Sequence, residues 1–561
     1  MKMNGPKLTK FKISRRKMVL GSAAIAMGLG LKYAKTLLPA YKSLIPGKMV
    51  GPQFKIGHLL RLGAFNRPKQ TETRETVIIG GGIAGLAAGW RLQKNNFEDF
   101  TILELESAVG GNSSSSKNST SAYPWGAHYV PLPSSDATYV HLLFEELGII
   151  KKYDGQGLPV FDEFAVVSDP HERLYIHGRW QEGVLPDSGL GVANSEDFKK
   201  FKKIMAEFAT ALGKDGKPAF TIPLEKSSTD PKFTRLDQIS FKDFLDSKNL
   251  SSKYLRWYAN YCCRDDFGLT YDQTSAWAGI HYFASRTGKG SGLEDGSLLT
   301  WPEGNGHIVN ALKEKLSGKI RTNSLVSSVS KLKDGRYSVV YSNPVTGGSK
   351  RIISNSVIYS APRFTAPYVI DELNKKKPSY LKSFQYAPWM VANITLSKRP
   401  ASMGTLCWDN VNFYGKSLGY VNANHQSLES HPGATVLTFY LPLTELSPIK
   451  ERQRAMVKTH AEWSQLVVNE MKIMHPDIAP LIENIDINLW GHGMIAPQVG
   501  FIWGKDRQQA LNPIGGIFFA HSDMSGLSLF EEAFYRGVVA AEASLSHLNR
   551  PLIQIDKRGL S

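Results

Sequence analysis

A glycine-rich stretch that follows a short apolar run constrains the fold of this chain more than any other feature. The residues from 77 onward read VIIGGGIAGLAAGWRL, in which Gly80, Gly82 and Gly85 satisfy the pattern GxGxxG. The first glycine of this pattern permits a tight turn from strand to helix, the second lets the backbone approach a pyrophosphate, and the third allows close helix–strand packing. The free N–H groups at the helix N-terminus, around Ile83 and Ala84, favour a bound phosphate. The stretch therefore predicts a β-α unit that binds a dinucleotide.

A carboxylate at the end of the second predicted strand supports this interpretation. The run from 100 to 105 is typical of a buried strand, and Glu104 lies 19 residues after Gly85. An acid at this place accepts hydrogen bonds from both ribose hydroxyls and repels a 2′-phosphate. A lone GxGxxG also occurs in glycine-rich turns that bind nothing, but the strand, the helix and the acid together favour a nucleotide site.

The residues after Glu104 resemble the second motif of the FAD-dependent amine oxidase and phytoene desaturase superfamily. In that superfamily the ribose-binding Glu precedes a Gly-Gly pair by six residues, as Glu104 precedes Gly110 and Gly111 here. An Arg normally follows the pair, whereas this chain has Asn112, so a usual positive contact to the phosphates is absent. The resemblance implies that the dinucleotide is FAD rather than NAD.

Further stretches resemble the superfamily in the same order along the chain. Val326 matches the strand residue whose backbone contacts the adenine ring, and the loop from 126 to 129 matches one that passes near the isoalloxazine. Asp523 is the acid implied to hold the flavin ribityl chain, and Phe530 begins the stretch that resembles the closing helix. The FAD contacts implied by the resemblance are Gly80, Gly82, Ile83, Ala84, Gly85, Glu104, Gly111, Asn112, Gly126, Ala127, His128, Val326, Asp523 and Phe530.

These matches predict an α/β fold in which a Rossmann-type FAD-binding domain is discontinuous in sequence and carries an inserted, mixed α+β substrate domain. The FAD-binding parts are 74–134, 296–364 and 505–548, and the substrate parts are 135–295 and 365–504. A linker at 41–73 and a tail at 549–561 flank them. Helices are predicted at 83–94, 139–147, 196–212, 308–316 and 529–548.

The net charge of +17 is concentrated at the N-terminus. Positions 1–70 contain 15 Lys and Arg and no Asp or Glu, so residues 71–561 carry only +2. Nucleic-acid binding is therefore not predicted, because it requires a basic patch on the folded body. Residues 1–40 contain Arg15 and Arg16 before the apolar run Met18–Leu31, which resembles a twin-arginine export signal. As a helix this run rises only about 21 Å, short of the roughly 30 Å hydrocarbon core.

The signal predicts passage through the twin-arginine export machinery to the periplasm. Two outcomes stay open, cleavage near the weak site Leu38-Pro39-Ala40 and an uncleaved signal that anchors the protein to the inner membrane. The basic stretch from 42 to 69 is a second candidate for association with an anionic membrane face. The competing interpretation is a chance arginine pair in a basic tail.

The predicted catalytic residues are His307, His492 and Trp490. The residues from 303 to 307 resemble the Gly-Ser-Gly-Gln stretch of monoamine oxidases, in which the Gln faces the flavin, and His307 takes that place. The residues from 490 to 494 resemble the segment that supplies an aromatic wall at the flavin. The alternatives are that His307 caps the following helix and that Trp490 packs in the core.

Two departures from the superfamily leave the chemistry open. The flavin-contacting Lys of the superfamily is not identifiable in the stretch that begins at Trp389, and no Cys stands at the covalent attachment position. Non-covalent FAD is expected, with a histidyl link at His128 or His492 as the alternative. Asp265 and Asp266 either bind a cationic substrate or form an arginine-paired structural cluster. No metal site is predicted, because the cysteine and histidine spacings of such sites are absent.

The leading interpretation is an exported FAD-dependent oxidoreductase of the amine oxidase type. It transfers hydride from a C–N or C–C bond of a small molecule to the flavin, with O2 or a quinone as electron acceptor. One alternative is a flavin-dependent desaturase or isomerase acting on a lipid-like substrate. The other is a FAD-binding redox subunit without turnover of its own.

Overall fold

The glycine-rich stretch forms the strand, turn and helix that its spacing predicts. In the structure, a computed structural model that describes residues 45–63, 65–186, 191–426 and 433–554, the strand Gln70–Ile79 leads into the helix Ile83–Lys94. The next strand, Phe100–Leu103, returns parallel to the first. The predicted export signal at 1–40 lies outside the described residues.

A seven-stranded sheet is built around this unit from three widely separated stretches of chain. Its parallel strands lie in the order Ile320–Arg321, Phe100–Leu103, Gln70–Ile79 and Ser349–Tyr359. The antiparallel strands Tyr337–Ser342 and Leu325–Lys331 continue the sheet beside the first half of Ser349–Tyr359, and Ile517–Phe519 runs parallel to its second half. The predicted α/β fold with a Rossmann-type unit is confirmed.

An eight-stranded, mostly antiparallel sheet forms the second layer. Its strands lie in the order Met49–Val50, Ile482–Ile495, Tyr386–Leu396, Thr435–Pro442, Gly419–Asn422, Asp409–Asn412, Glu172–Ile176 and Arg179–Glu182. Short two-stranded pairs complete the strands, namely Leu298–Thr300 with Tyr129–Pro131, Ser115–Lys117 with Ala122–Pro124, and Ile150–Tyr153 with Pro159–Phe161.

The helices pack on both sheets and on each other. Their bounds are Phe54–Gly57, Ile83–Lys94, Thr138–Glu146, Val192–Ala209, Pro231–Thr234, Phe241–Ser247, Lys253–Phe267, Ala276–Ala284, Gly306–Lys315, Ala366–Val369, Asp371–Lys376, Pro448–Val457, His460–Met474, Lys505–Ala510 and Phe530–His547. All five predicted helices are present, with ends shifted by up to four residues. Among the described residues, no helix is long and apolar enough to cross a membrane.

The last helix closes the Rossmann-type unit from the far end of the sequence. A Cβ on Gly537 would lie 2.2 Å from the Ala84 carbonyl oxygen, so the helices Ile83–Lys94 and Phe530–His547 touch backbone to backbone. Trp90 and Phe534 are buried at this contact, with ring centroids 5.3 Å apart. The N-terminus of the last helix is thereby fixed relative to the glycine-rich turn.

The stretch predicted as a linker, 41–73, contains secondary structure in its described part. Met49–Val50 pairs in parallel with Ile487 and Asn488, and the first long strand already begins at Gln70. Both elements depend on strands more than two hundred residues away in sequence, so no local pattern indicated them.

Candidate active site

The turn after Gln70–Ile79 has the geometry of a phosphate cradle. A Cβ on Gly85 would lie 1.9 Å from the Gly80 carbonyl oxygen, so only glycine allows this close approach. A Cβ on Gly82 would meet no heavy atom within 4 Å, because the space beside it is open. The N-terminus of the helix Ile83–Lys94 receives no side-chain cap. Open space beside uncapped N–H groups is what a pyrophosphate requires.

Glu104 lies at the floor of this cradle. Its carboxylate accepts hydrogen bonds from the N–H groups of Gly81 at 2.6 Å and Glu106 at 2.8 Å. Burial raises the pKa of Glu104 to about 7, although these two bonds favour the ionised form. Val326, the predicted adenine contact, is buried in the strand Leu325–Lys331 beside an irregularity in the pairing.

Asp523 holds an unused carboxylate oxygen inside the protein. Its Oδ2 accepts hydrogen bonds from the Tyr386 hydroxyl at 2.6 Å and from the Arg363 N–H at 2.8 Å. Its Oδ1 has no hydrogen-bond partner in the described part of the chain. His521 Nδ1 lies 2.9 Å from Oδ1 but accepts the N–H of Asp523, so it leaves Oδ1 free for another donor. A hydroxyl of a ribityl chain suits that oxygen.

A cavity opens between the eight-stranded sheet and the N-terminus of the helix Phe530–His547, with an empty volume of about 860 Å³ including its open mouth. Six of the predicted site residues line it, namely Asn112, Gly126, Ala127, His128, Trp490 and Phe530. Asn112 organises this end of the cavity, since its side-chain N–H donates to the Gly493 carbonyl and its own carbonyl accepts the Ala127 N–H at 2.8 Å. His307 and His492 are not among the lining residues.

Aromatic rings form the walls of the cavity. Trp389 and Trp490 face each other across paired strands, and Trp490 Nε1 donates to the Trp125 carbonyl at 2.6 Å. The His128 ring lies 4.4 Å from the Tyr440 ring, and burial lowers the pKa of His128 to about 4. The imidazole is therefore neutral at physiological pH and acts as one more flat, weakly polar wall.

Asn305, which the sequence did not single out, faces the cavity where His307 was predicted. Its side chain is 1% exposed, and neither its amide oxygen nor its amide nitrogen has a hydrogen-bond partner among the described residues. His307 stacks on Trp301 at 4.7 Å and lies 3.3 Å from Glu303, with 41% of its side chain exposed. A buried amide with four unused hydrogen-bonding positions is suited to orient a ligand.

His492 lies beside the site rather than in the cavity wall. It stacks on Phe364 at 4.2 Å, next to Arg363, whose N–H holds Asp523. Burial, together with the charge of Arg452, lowers the pKa of His492 to about 4. The ring is therefore neutral at physiological pH.

Acidic side chains outnumber basic side chains in the described lining of the cavity. Among the described residues that line it, three are acidic, Asp265, Asp266 and Glu531, and one is an arginine, Arg286. Arg286 binds Oδ1 of Asp266, and Oδ2 of Asp266 has no hydrogen-bond partner among the described residues. Asp265 has neither a hydrogen bond nor an ion pair in the described part of the chain. The arginine-paired interpretation thus holds for Asp266, with Arg286 as the arginine. Burial and the neighbouring Asp266 raise the pKa of Asp265 to about 7.

Three observations, on lysine, on metal ligands and on cysteine, bear on the chemistry. No lysine occurs among the described residues that line the cavity. The described residues also contain no group of three or more His, Cys, Asp or Glu suited to a metal ion. The cysteines Cys262, Cys263 and Cys407 are buried, unpaired and outside the cavity lining.

Comparisons with known proteins place the fold. Residues 78–147 match the family model of the NAD(P)-binding Rossmann-like domain. The chain is 24% identical over 295 residues to oxidoreductase PigB of Serratia sp. (strain ATCC 39006), a match that covers 50% of this chain and 42% of that protein. The chain thus spans less than half the length of this relative.

Three solved structures share the fold over nearly their whole length. Wild-type putrescine oxidase bound to putrescine is 14% identical with a TM-score of 0.61, covering 85% of this chain and 100% of that one. Cyclohexylamine oxidase from Brevibacterium oxydans IH-35A is 14% identical with a TM-score of 0.60 and the same coverage. The CLA-producing fatty acid isomerase from P. acnes is 17% identical with a TM-score of 0.59, covering 84% and 98%. The predicted resemblance to amine oxidases is therefore confirmed at the level of the fold.

Proposed function

We propose that this protein is a FAD-dependent oxidoreductase of the amine oxidase type that oxidises a small amine. The observation that carries the proposal is the cavity, which joins aromatic walls to the unpaired carboxylate of Asp265. Aromatic faces and a carboxylate are the groups that recognise an ammonium ion. The shared fold with putrescine oxidase and cyclohexylamine oxidase agrees with this substrate class.

The residues present fit FAD. The open space at Gly82 and the uncapped helix N-terminus suit the pyrophosphate, and the unused Oδ1 of Asp523 suits a ribityl hydroxyl. The N-terminus of the helix Phe530–His547 faces the cavity and favours negative charge there. Bound FAD supplies a hydride acceptor. Since none of the described residues that line the cavity is a cysteine, non-covalent binding is proposed, with His128 as the alternative point of attachment.

The chain's own groups then bind and orient the substrate. The walls at Trp389, Trp490 and Tyr440 exclude water and restrict the substrate to one plane. Asn305 offers both a donor and an acceptor for a polar group of the substrate. Asp265 attracts the ammonium form and, as its pKa lies near neutrality, can accept a proton when the nitrogen must become neutral.

A second candidate is a desaturase or isomerase that acts on a lipid-like substrate. The absence of a cavity lysine among the described residues and the largely apolar walls favour it, as does the shared fold with the fatty acid isomerase. A FAD-binding redox subunit without turnover is the third possibility. For the oxidoreductase, O2 or a quinone is the proposed acceptor, and the arginine pair at 15–16 supports export to the periplasm with membrane association through the N-terminus.

Anaerobic reduction of the purified flavoprotein separates these functions. The flavin spectrum is recorded while amines, amino acids, polyenes and unsaturated fatty acids are added in turn. Rapid bleaching by amines, with peroxide release on re-aeration, supports an oxidase, and bleaching without fast reoxidation indicates a dehydrogenase that feeds a quinone. Change in a fatty acid without net bleaching supports the isomerase. A protein that cannot be loaded with FAD contradicts every one of these proposals.

A further inference from the structure

The helix Pro448–Val457 and the turn before it present apolar side chains to solvent. The buried residues of the helix are Glu451 and Ala455, and Arg452 fixes the helix to the eight-stranded sheet by donating to the Tyr386 carbonyl at 2.8 Å. Four large apolar side chains of this segment, here called the docking face, are between 44% and 79% exposed, namely Leu446, Ile449, Met456 and Val457. A surface helix normally turns its apolar side chains inward. The reversed arrangement indicates a surface that binds something apolar.

Basic side chains accompany the docking face. Lys450 is exposed on the helix, and Lys458 lies directly after it. Arg454 pairs with Glu451 at 2.9 Å and with Glu445 at 2.6 Å, so the carboxylates beside the face are already neutralised. The face therefore carries an excess of positive charge, which is complementary to an anionic surface.

The first described residues of the chain lie against the end of the same helix. A Cβ on Gly47 would lie 2.8 Å from Nε2 of His460, which stands three residues after Val457. The Pro46 carbonyl accepts the Ile485 N–H at 2.9 Å. The polypeptide that precedes residue 45 is therefore joined to the protein beside the docking face.

This connection places the predicted signal near the face. The apolar run from 18 to 31 ends 14 residues before Ile45, a stretch of chain that spans at most about 50 Å. As a helix the run rises about 21 Å, which is short of the roughly 30 Å hydrocarbon core. An anchor that does not span the bilayer needs a second contact for stable attachment, and a basic, apolar surface provides one.

We infer that the docking face lies on an anionic lipid surface and holds the folded body against the membrane. Its basic side chains pair with lipid phosphates, and its apolar side chains enter the boundary between the headgroups and the acyl chains. The inference goes beyond attachment through the N-terminus, because it assigns a second contact to the folded protein and thereby fixes its orientation. It does not depend on the reaction that the protein catalyses.

A polarity-sensitive dye tests where the face lies. The three native cysteines, Cys262, Cys263 and Cys407, are buried, so a thiol-reactive dye selects a cysteine introduced at the surface. Val457→Cys carries the dye on the docking face, and Val345→Cys is the matched control, since Val345 is 77% exposed but lies in a turn of the other sheet. The labelled full-length proteins are mixed with phosphatidylcholine vesicles that contain or lack phosphatidylglycerol.

The dye at position 457 should respond to the anionic vesicles alone. Its emission should rise about twofold or more as it leaves water, and high salt should reverse the rise. The dye at position 345 should not respond. If the protein is attached only through its N-terminus, both dyes stay in water.

The charge is tested in the same labelled protein. Lys450→Gln should increase about fivefold the amount of anionic lipid needed for half of the emission rise. Lys199→Gln is the control, because it removes an exposed lysine from another surface helix, Val192–Ala209. It should leave that amount unchanged.

Each other outcome overturns the inference. An unchanged emission at position 457 does so even if the protein sediments with the vesicles, and so do equal responses at positions 457 and 345 or in both kinds of vesicle. An emission rise that follows protein concentration without vesicles assigns the face to a second copy of the chain. A dye shielded from water at every concentration assigns it to residues 1–44. None of these results depends on whether an amine reduces the flavin, so this inference and the proposed function fail separately.

Discussion

Replacing Asp265 by Asn tests whether the cavity carries an unbalanced negative charge. This carboxylate lines the cavity without a hydrogen bond or ion pair in the described part of the chain, and burial with the nearby Asp266 raises its pKa from 3.8 to about 7. A carboxyl group with a raised pKa stabilises the fold while it is protonated. That stabilisation is complete below about pH 3.8 and is lost as the pH rises through about 7.

The size of the effect follows from the shift. A difference of about three pKa units corresponds to about 4 kcal/mol at roughly 1.4 kcal/mol per unit. Asn has nearly the same shape and never ionises, so Asp265→Asn should be the more stable protein above pH 7 and nearly equal to the wild type near pH 4. With an unfolding entropy of about 2 cal/mol/K per residue, the Tm should rise by about 3 to 4 °C at pH 8.

The assay is thermal unfolding of the substrate-free holoprotein across this pH range, with Asp295→Asn as the control. Asp295 is an exposed carboxylate, so its replacement should leave the Tm and its pH dependence unchanged. A Tm difference that is independent of pH, or a less stable Asp265→Asn protein at pH 8, would refute the reasoning. A cationic amine that reduces the flavin should stabilise the wild type more than Asp265→Asn and bind the variant roughly tenfold more weakly.

The other predictions concern the cradle and the cavity walls. Gly85→Ala should destabilise the apoprotein by several kcal/mol, because its Cβ overlaps a carbonyl oxygen. Gly82→Ala should leave the Tm of the apoprotein unchanged and weaken FAD binding roughly tenfold or more, which a titration followed by flavin fluorescence measures. Asn305→Ala should slow anaerobic flavin reduction, measured by stopped flow, about tenfold, while His307→Gln should change the rate less than about twofold. A larger loss of rate in His307→Gln than in Asn305→Ala would show that His307, and not Asn305, acts in the site. His128 should stay neutral above about pH 5, because burial lowers its pKa to about 4. The rate of flavin reduction should therefore have the same pH dependence near pH 6.5 in the wild type and in His128→Gln.

The Rossmann-type unit could be predicted because its signals are local. The turn, the helix start and the acid at Glu104 lie within about thirty residues, and Gly80 and Gly85 are both required by backbone atoms close to them. The closing helix from Phe530 was predicted from the resemblance of its residues to the closing helix of the superfamily. The strand Met49–Val50 was not predicted, because it pairs with Ile487 and Asn488, and nothing in either stretch of sequence indicates the other.

The substrate side shows a finer limit. The stretch from 303 to 307 was predicted to face the flavin through His307, whereas the side chain of this stretch that lines the cavity is Asn305, two residues before the predicted one. The backbone turns at Gly304 with a φ of +58°, which decides the direction of each following side chain. Spacing alone does not give that direction. Spacing also does not identify the partner of Asp266. The arginine that binds it is Arg286, and not Arg264, which lies two residues before it in sequence.

The contact between Gly537 and Ala84 has a consequence for how the protein is made. The nucleotide site needs the strand Ile517–Phe519 and the helix Phe530–His547, which are synthesised more than four hundred residues after the glycine-rich turn. The amino-terminal half of the cradle stays exposed until these segments have been synthesised, and contacts this distant in sequence form slowly. Flavin can be captured only after the helix Phe530–His547 has packed on the sheet, so an excess of FAD during expression should raise the yield of intact protein by trapping the newly completed fold.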